Sequence, residues 1–345
     1  MPTQSNNLAA PSATSISRLS QAHTPALSQT HCPVCAEAAC HSVSAKDRDG
    51  KPLKTVACTR CGLYRVDPLP STAELAQFHE QEYRNSYKGV RQPKRKHLYR
   101  SAMLAVKRLK RLAPHLGQRA SVLDIGCASG EWLYILGTQG HSALGIEVDV
   151  GYAAFGRGEY GVDIRNGSVH TFGGPDHAVD CITMFHVLEH LPDPLSALRR
   201  IHAWLKPGGH FVVEVPNVAS LCQHPAKRFH YAHVVGYTPA SLAYVVRESG
   251  WRIVELTLDQ YDRNILAVLQ KPSESNQEST SEPIQPSFQP TPVVPSSPSA
   301  TIQYYLRPST YVRYFARMKQ FGVEYGVARK SLTPRKILDA SLRHL

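Results

Sequence analysis

Two cysteine pairs, Cys32-Pro33-Val34-Cys35 and Cys58-Thr59-Arg60-Cys61, followed by Gly62, are set out as C-x2-C-x22-C-x2-C. That spacing is close to the ribbon pattern that holds tetrahedral zinc, each CxxC folding into a knuckle whose sulfurs point to one centre. Thiolates from Cys32, Cys35, Cys58 and Cys61 leave no open coordination position, so the expected Zn2+ is structural; Cys40 and His41 are the nearby side chains that could stand in for a ligand. The other cysteines are scattered, and Met1 to Thr30 has neither a basic n-region nor an apolar h-region. The cysteines therefore read as a metal site in a reducing, cytoplasmic setting rather than a disulfide framework.

A second stretch that could carry chemistry is Asp124-Ile125-Gly126-Cys127-Ala128-Ser129-Gly130. It follows a short apolar strand, Ser121 to Ile125, and precedes a helix from Glu131. Its glycines let the backbone approach a ligand closely, and the helix N-terminus favours an anionic group. About twenty residues on, a second strand, Ala143 to Val148, carries Glu147, placed to accept hydrogen bonds from ribose hydroxyls. These features suit an adenosine cofactor. NAD fits less well, because G-x-G-x-x-G is replaced by D-x-G-x-x-x-G.

The elements that must position these residues alternate. Strand Ala178 to Met184 leads to a helix with Asp193 as N-cap and Pro194 at its first position, stopped by Pro207-Gly208-Gly209. Strand Phe211 to Val215 follows, then a helix from Thr238-Pro239 to Gly250, then strands Arg252 to Leu258 and Asn264 to Gln270. Such alternation specifies an α/β fold, Rossmann-like, with a parallel sheet and right-handed crossovers. Residues 1–30 read as a disordered tail, 31–70 as the zinc-ribbon module and 71–119 as a helical connector opening on a Ser71-x-x-Glu74 capping box. Residues 120–270 form the α/β domain, 271–300 a Pro/Ser-rich disordered linker and 301–345 a basic tail.

Charge is unevenly placed in this chain of net +12. Lys88 to Arg119 holds eleven Lys/Arg and no acid, and Thr301 to Leu345 nine bases against two acids. Ala120 to Gln270 has ten bases against fifteen acids. The basic helix, with Leu98, Ala102, Ala105, Leu109 and Leu112 on one face, is expected to be a solvated face, although such charge also attracts nucleic acid or anionic lipid. No run of 18 apolar residues occurs, so no transmembrane segment is expected.

Val122 to Gly130, the block Phe185-His186-Val187-Leu188-Glu189-His190-Leu191-Pro192-Asp193-Pro194, and Leu205-Lys206-Pro207-Gly208-Gly209 together resemble, in order and spacing, the motifs of class I S-adenosylmethionine-dependent methyltransferases. The resemblance covers about Ala120 to Gln270 and implies a seven-stranded sheet whose last strand is antiparallel. Gly62 to Ser71 and Tyr83 to Tyr87 resemble the amino-terminal part of bacterial methyltransferases that carry a zinc ribbon, many of which act in natural-product or cell-surface glycan pathways.

By this resemblance, Gly126, Cys127 and Gly130 hold the methionine part of the cofactor through backbone contacts, and Asp124 faces its ammonium group. Glu147 binds the ribose, Ser168 and Val169 lie along the adenine edge, and Met184, Phe185 and His186 cap the cofactor. Methyl transfer is an in-line displacement that rests on alignment, and an oxygen nucleophile usually also needs a base. Candidate bases are His186, His190, His224, His230, His233 and Tyr237, with His233 first, then His186 and Tyr237. His186, Glu189 and His190 could instead bind a divalent metal, as similarly placed residues do in quinone O-methyltransferases. A small molecule, sugar or glycan-linked acceptor is expected. The alternatives are a zinc-ribbon RNA methyltransferase, against which the acidic core and the missing Asn/Asp-Pro-Pro-Tyr motif speak, and a non-catalytic zinc-dependent scaffold.

Overall fold

The computed structural model describes residues 31–78, 93–272, 298–330 and 332–345. The first strands among the described residues form a meander of β1 (Cys40–Lys46), β2 (Pro52–Cys58) and β3 (Tyr64–Val66). Two helices follow, α1 (Thr72–Phe78) and α2 (Arg95–Leu112). The connector thus contains two helices among the described residues, and the expected Tyr83 to Tyr87 likeness lies outside the described residues. The capping box is present: Glu74 accepts from the Ser71 amide at 2.8 Å, and the Glu74 amide donates to Ser71 Oγ at 3.3 Å.

The α/β domain runs β4 (Ser121–Ile125), α3 (Glu131–Thr138), β5 (Ser142–Glu147), α4 (Val150–Tyr160), β6 (Asp163–Asn166), β7 (Val179–Phe185), α5 (Pro194–Trp204) and β8 (Leu205–Pro216). Then come β9 (Val235–Gly236), α6 (Pro239–Glu248), β10 (Arg252–Leu258) and β11 (Asn264–Gln270). Seven strands line up as β10-β11-β8-β7-β4-β5-β6. The β4, β5, β6, β7 and β8 ladders are parallel, and β11 runs antiparallel to both its neighbours. The chain leaves β4 toward β5 on one side and returns to β7 on the other, so the crevice for a ligand lies beyond the carboxyl ends of those strands. Pro207-Gly208-Gly209 does not end α5 before a loop; it lies inside β8, where the pairing with β7 shifts register between Val179 and Cys181.

Asp193 caps α5 by accepting from the Ser196 amide at 3.0 Å, and Pro194 follows it. The apolar stripe of α5 (Leu195, Leu198, Ile201) packs with Leu242 and Val245 of α6 on one sheet face. The other face is covered by α2 and α3 through Ala102, Leu109, Leu112, Trp132 and Ile135.

Two features bind the cysteine module and the C-terminal segment into this body. β9 pairs antiparallel with β3, Tyr64 opposite Gly236 and Arg65 opposite Val235, so the cysteine module and the α/β domain share one four-stranded sheet. Cys32, Cys58, Cys61 and Leu63 are buried in the same core as Tyr237 and Leu242. The basic C-terminal segment forms α7 (Pro298–Leu306), α8 (Pro308–Arg329) and α9 (Pro334–Leu342). Leu338 of α9 is buried in the α2–α3 core, and Tyr134 is hydrogen-bonded to Asp339. Among the described residues, no helix is long and apolar enough to cross a membrane.

The basic face of α2 is not simply solvated. Arg100 holds Glu324 of α8 through two bonds of 2.8 and 2.5 Å, Arg111 pairs with Glu255, and Arg108 reaches Glu214 of β8 at 3.4 Å. Only 13% of the Arg108 side chain is exposed, and its guanidinium lies 3.6 Å over the Phe185 ring.

Candidate functional site

The turn after β4 is built for close approach. Gly126 and Gly130 have φ of +76° and +80°, where a side chain is disfavoured, and a Cβ on Gly126 would lie 2.3 Å from Val187 Cγ2. The Gly126 and Cys127 amides both donate to the Ile146 carbonyl at 2.8 and 3.1 Å, and the Gly130 amide to Cys127 O at 2.9 Å. With those amides engaged inside the fold, the turn offers a ligand its carbonyl dipoles and its lack of bulk. Cys127 is buried against Leu133, Ala153 and Ile164, so its thiol is packing.

Glu147, at the end of β5, is 4% exposed; its Oε2 accepts from the Ala128 amide and its Oε1 from the Asp149 amide, each at 2.8 Å. Those bonds fix the carboxylate against the glycine turn at the carboxyl edge of the sheet. This donor set fits the ribose of an adenosine cofactor. Asp124 lies one level down in β4, accepting from Thr183 Oγ1 at 2.6 Å. Burial raises its pKa to about 7, against the Thr183 bond and the Arg108 charge. Ser168 is partly exposed after β6, its amide tied to Thr171 Oγ1 at 2.9 Å. Val169 and Met184 are enclosed in the apolar core at 2% and 0% exposure. Phe185 faces Arg108 and Trp132. The side chains of Val169, Met184 and Phe185 therefore serve packing first: the period-two alternation of the doubly covered β7 turns Met184 and Phe185 into opposite layers, and Val169 packs into the core from the turn after β6.

His186 is placed differently. It leaves β7 in the left-handed region at φ +57°, and its amide donates to Glu214 O at 2.8 Å. Its Nε2 is 3.0 Å from Glu214 Oε1 and its Nδ1 3.4 Å from Glu189 Oε1. Burial opposes charge on this imidazole, but the two carboxylates beside it prevail and hold its pKa at about 9. Glu214, pressed upward by burial, is brought down to about 2 by His186 and Arg108. Arg108, Glu214, His186 and Glu189 thus form a chain of alternating charge from α2 to the carboxyl edge of the sheet.

That chain ends at a cavity of about 330 Å3 between the cysteine module and the α/β domain, lined by His186, Glu189, His190, His230 and His233 among others. Glu189 is 1% exposed, and neither carboxylate oxygen has a hydrogen bond among the described residues. His233 Nε2 lies 3.9 Å from Glu189 Oε1, and the His230 and His233 rings are 3.8 Å apart. His190 is oriented by Nδ1, 2.6 Å from Ala232 O. Glu189, His190 and His233 bring three donor atoms within 4.8 Å of one another, so the cluster able to hold a cation includes His233 in place of the expected His186. Burial first, then the rings of His190, His230 and His186, push the His233 pKa well below the usual histidine value.

Two candidate bases fall away. Tyr237 is 0% exposed and directs its hydroxyl to Leu188 O at 3.4 Å, and burial pushes its pKa far up. The flanking strand β9 turns it into the core. His224 caps a short 3-10 turn, accepting from the Ala226 amide at 3.2 Å beside Tyr304 and Tyr305.

The four cysteine sulfurs lie within 4.8 Å of one another, Cys32 to Cys61 at 3.6 Å and Cys35 to Cys58 at 3.5 Å. Sulfurs about 3.8 Å apart are what bonds of about 2.3 Å to a tetrahedral zinc require, so the residues fit that ion.

Residues 95–256 match the family model described as a methyltransferase domain. A probable S-adenosylmethionine-dependent methyltransferase of Mycolicibacterium smegmatis is 28% identical over 145 residues, covering 42% of this chain and 56% of that protein. A ubiquinone biosynthesis O-methyltransferase of Marinobacter nauticus is 36% identical over 109 residues, covering 29% and 45%. The chain thus spans about half the length of the curated relatives it matches. Among solved structures, a SAM-dependent methyltransferase of Thermotoga maritima superposes with a TM-score of 0.40 at 19% identity, over 50% of this chain and 91% of that one.

Proposed function

We propose that this chain, whose residues 95–256 match a methyltransferase-domain family model, is a class I S-adenosylmethionine-dependent methyltransferase that methylates a small-molecule, sugar or glycan-linked acceptor held in the cavity beneath the cysteine module. The observation that carries this reading is the meeting of two sites at residues 186–187. Val187 packs on Gly126 of the cofactor turn while the preceding His186 lines the cavity. Bound S-adenosylmethionine supplies a sulfonium methyl; the protein supplies alignment and proton handling. Glu147 fixes the ribose and Gly126 leaves room for the methionine arm. His233, kept neutral by its surroundings, accepts the proton of an acceptor hydroxyl, and charged His186 orients the acceptor. A cavity of about 330 Å3 suits a small acceptor, as do the names of the ubiquinone-pathway relatives.

Calorimetry with S-adenosylhomocysteine tests the cofactor half. Glu147→Ala removes a charged acceptor and strands the amides of Ala128 and Asp149, so affinity should fall by about 1–3 kcal/mol. Unchanged affinity would remove Glu147 from the site, and NAD binding in place of S-adenosylhomocysteine would overturn the reading. A divalent cation on Glu189, His190 and His233 is the rival for the acceptor half. Activity lost on dialysis against a chelator that leaves the cysteine-bound zinc in place would decide for it.

An RNA acceptor is disfavoured because Arg100, Arg108 and Arg111 of α2 already face carboxylates. Titration with structured RNA at two salt concentrations should show weak binding with a shallow slope. Sub-micromolar, salt-sensitive binding abolished by Lys107→Glu and Lys110→Glu, both exposed, would reverse that choice without breaking the buried ion pairs.

A further inference from the structure

The cavity has a second chemical character that methyl transfer does not use. Besides the histidines and Glu189 it is lined by Arg48, Arg65, Lys227, Arg228 and Arg263. Arg65 is committed to Asp67 at 2.7 Å. Arg228 has no such partner among the described residues. It is 7% exposed, its Nη2 donates to the Ser220 carbonyl at 3.0 Å, and its buried Nε has no acceptor among the described residues. A guanidinium withdrawn from water without a carboxylate is costly unless an anion comes to it. Burial, and the like charge of Arg307, push its pKa down, and only the Tyr64 phenol acts in the other direction. The surrounding backbone is fixed: the Arg48 amide donates to Phe229 O at 2.7 Å, and Lys227 Nζ to Arg48 O at 2.6 Å. Three separate segments, the β1–β2 turn, the loop before β9 and the turn before β11, thereby bring cations to one cavity.

We propose that Arg228, with Arg48, Lys227 and Arg263, forms an oxyanion-binding subsite for a phosphoryl group on the acceptor, a phosphate or diphosphate ester. The proposal rests on the methyltransferase reading for the remainder of the acceptor, but the subsite itself is a binding site whatever the reaction. Arg48 Nε already lies 3.9 Å from Asp49, and a single carboxylate on a ligand would balance one of the other cations. A diphosphate carries more charge and more acceptor oxygens, and guanidinium groups match its geometry through paired N–H donors. Glu189 is the acidic residue lining the cavity, and it lies beside His186 and His233.

The test is calorimetric titration of the full, zinc-loaded chain with inorganic pyrophosphate, malonate serving as the carboxylate control. S-adenosylhomocysteine affinity, measured on every variant, reports separately on the methyltransferase site. Pyrophosphate should bind in a salt-sensitive manner and more tightly than malonate. Arg228→Met should weaken it at least tenfold, and Arg263→Gln, at an exposed position, several-fold, with S-adenosylhomocysteine affinity unchanged in both. The Arg263 variant keeps the test decisive if Arg228→Met does not fold. Absence of pyrophosphate binding at millimolar concentration, malonate binding as tightly, or affinity unaffected by both substitutions would overturn the subsite. Loss of S-adenosylhomocysteine binding by the unmodified chain would overturn the methyltransferase reading and leave the pyrophosphate result standing.

Discussion

Cys58→Ser is expected to lose the zinc and, with it, the acceptor cavity. Metal analysis of the purified chain should find about one zinc, and the variant close to none. A structural zinc in a small module contributes roughly 10–16 kcal/mol, against a stability of about 5–15 kcal/mol for a whole domain, so the module has no folded state to fall back on. The consequences extend past the module. Cys32, Cys58 and Cys61 share a core with Leu63, Tyr237 and Leu242, and β3 is paired with β9. Arg48 and Tyr64 of the module line the cavity. Proteolysis should therefore open both the segment from His31 to Val66 and the loop before β9. S-adenosylhomocysteine binding should survive, because Gly126 and Glu147 are held by β4 and β5. A chain that contains no zinc and has two disulfides by mass, or a variant that keeps its metal and protease resistance, would end the zinc assignment.

What could be read in the sequence was local. The two CxxC pairs, the turn from Asp124 to Gly130, and Glu147 at the end of the next strand each carry their chemistry within a few residues, and the fold places them as the spacing implies. Strands Arg252 to Leu258 and Asn264 to Gln270 were visible because each is a bounded run with strand-forming residues. What could not be read depends on distant partners. Arg108 belongs to a basic helix face by periodicity, yet Glu214, 106 residues away, draws it inside. A lone carboxylate within the apolar strand Phe211 to Val215 was the signal that could have found that pair. The two-residue strand β9 has no pattern of its own and exists because β3 offers an edge. For the same reason Tyr237 looked like a residue facing acceptor, when pairing of β9 with β3 turns it into the core. Arg228 gave no signal at all: nothing in Lys227-Arg228-Phe229 distinguishes a buried guanidinium from an exposed one.

His233→Ala should lower kcat by roughly 10²–10⁴ for an oxygen acceptor, the scale of losing a positioned general base, while S-adenosylhomocysteine affinity stays unchanged. The pH profile separates this role from packing. His233 has its pKa lowered, so its ring is already neutral at pH 7, and activity should fall only as pH drops well below 6.5. His186 has its pKa raised to about 9, so it is charged at neutral pH, and activity should fall again as pH rises through 9 and the charge between Glu189 and Glu214 is lost. The sign for stability follows: the His186 contribution is fully present below its unfolded value near 6.5 and disappears as pH rises through 9. His186→Gln should accordingly remove the alkaline limb, and His233→Ala the acid limb, of kcat/KM. A His233→Ala enzyme within a few-fold of the parent, or one that retains the acid limb, would assign the proton to another group. His190 would then be next, since its Nδ1 is engaged by the Ala232 carbonyl and its ring lines the same cavity.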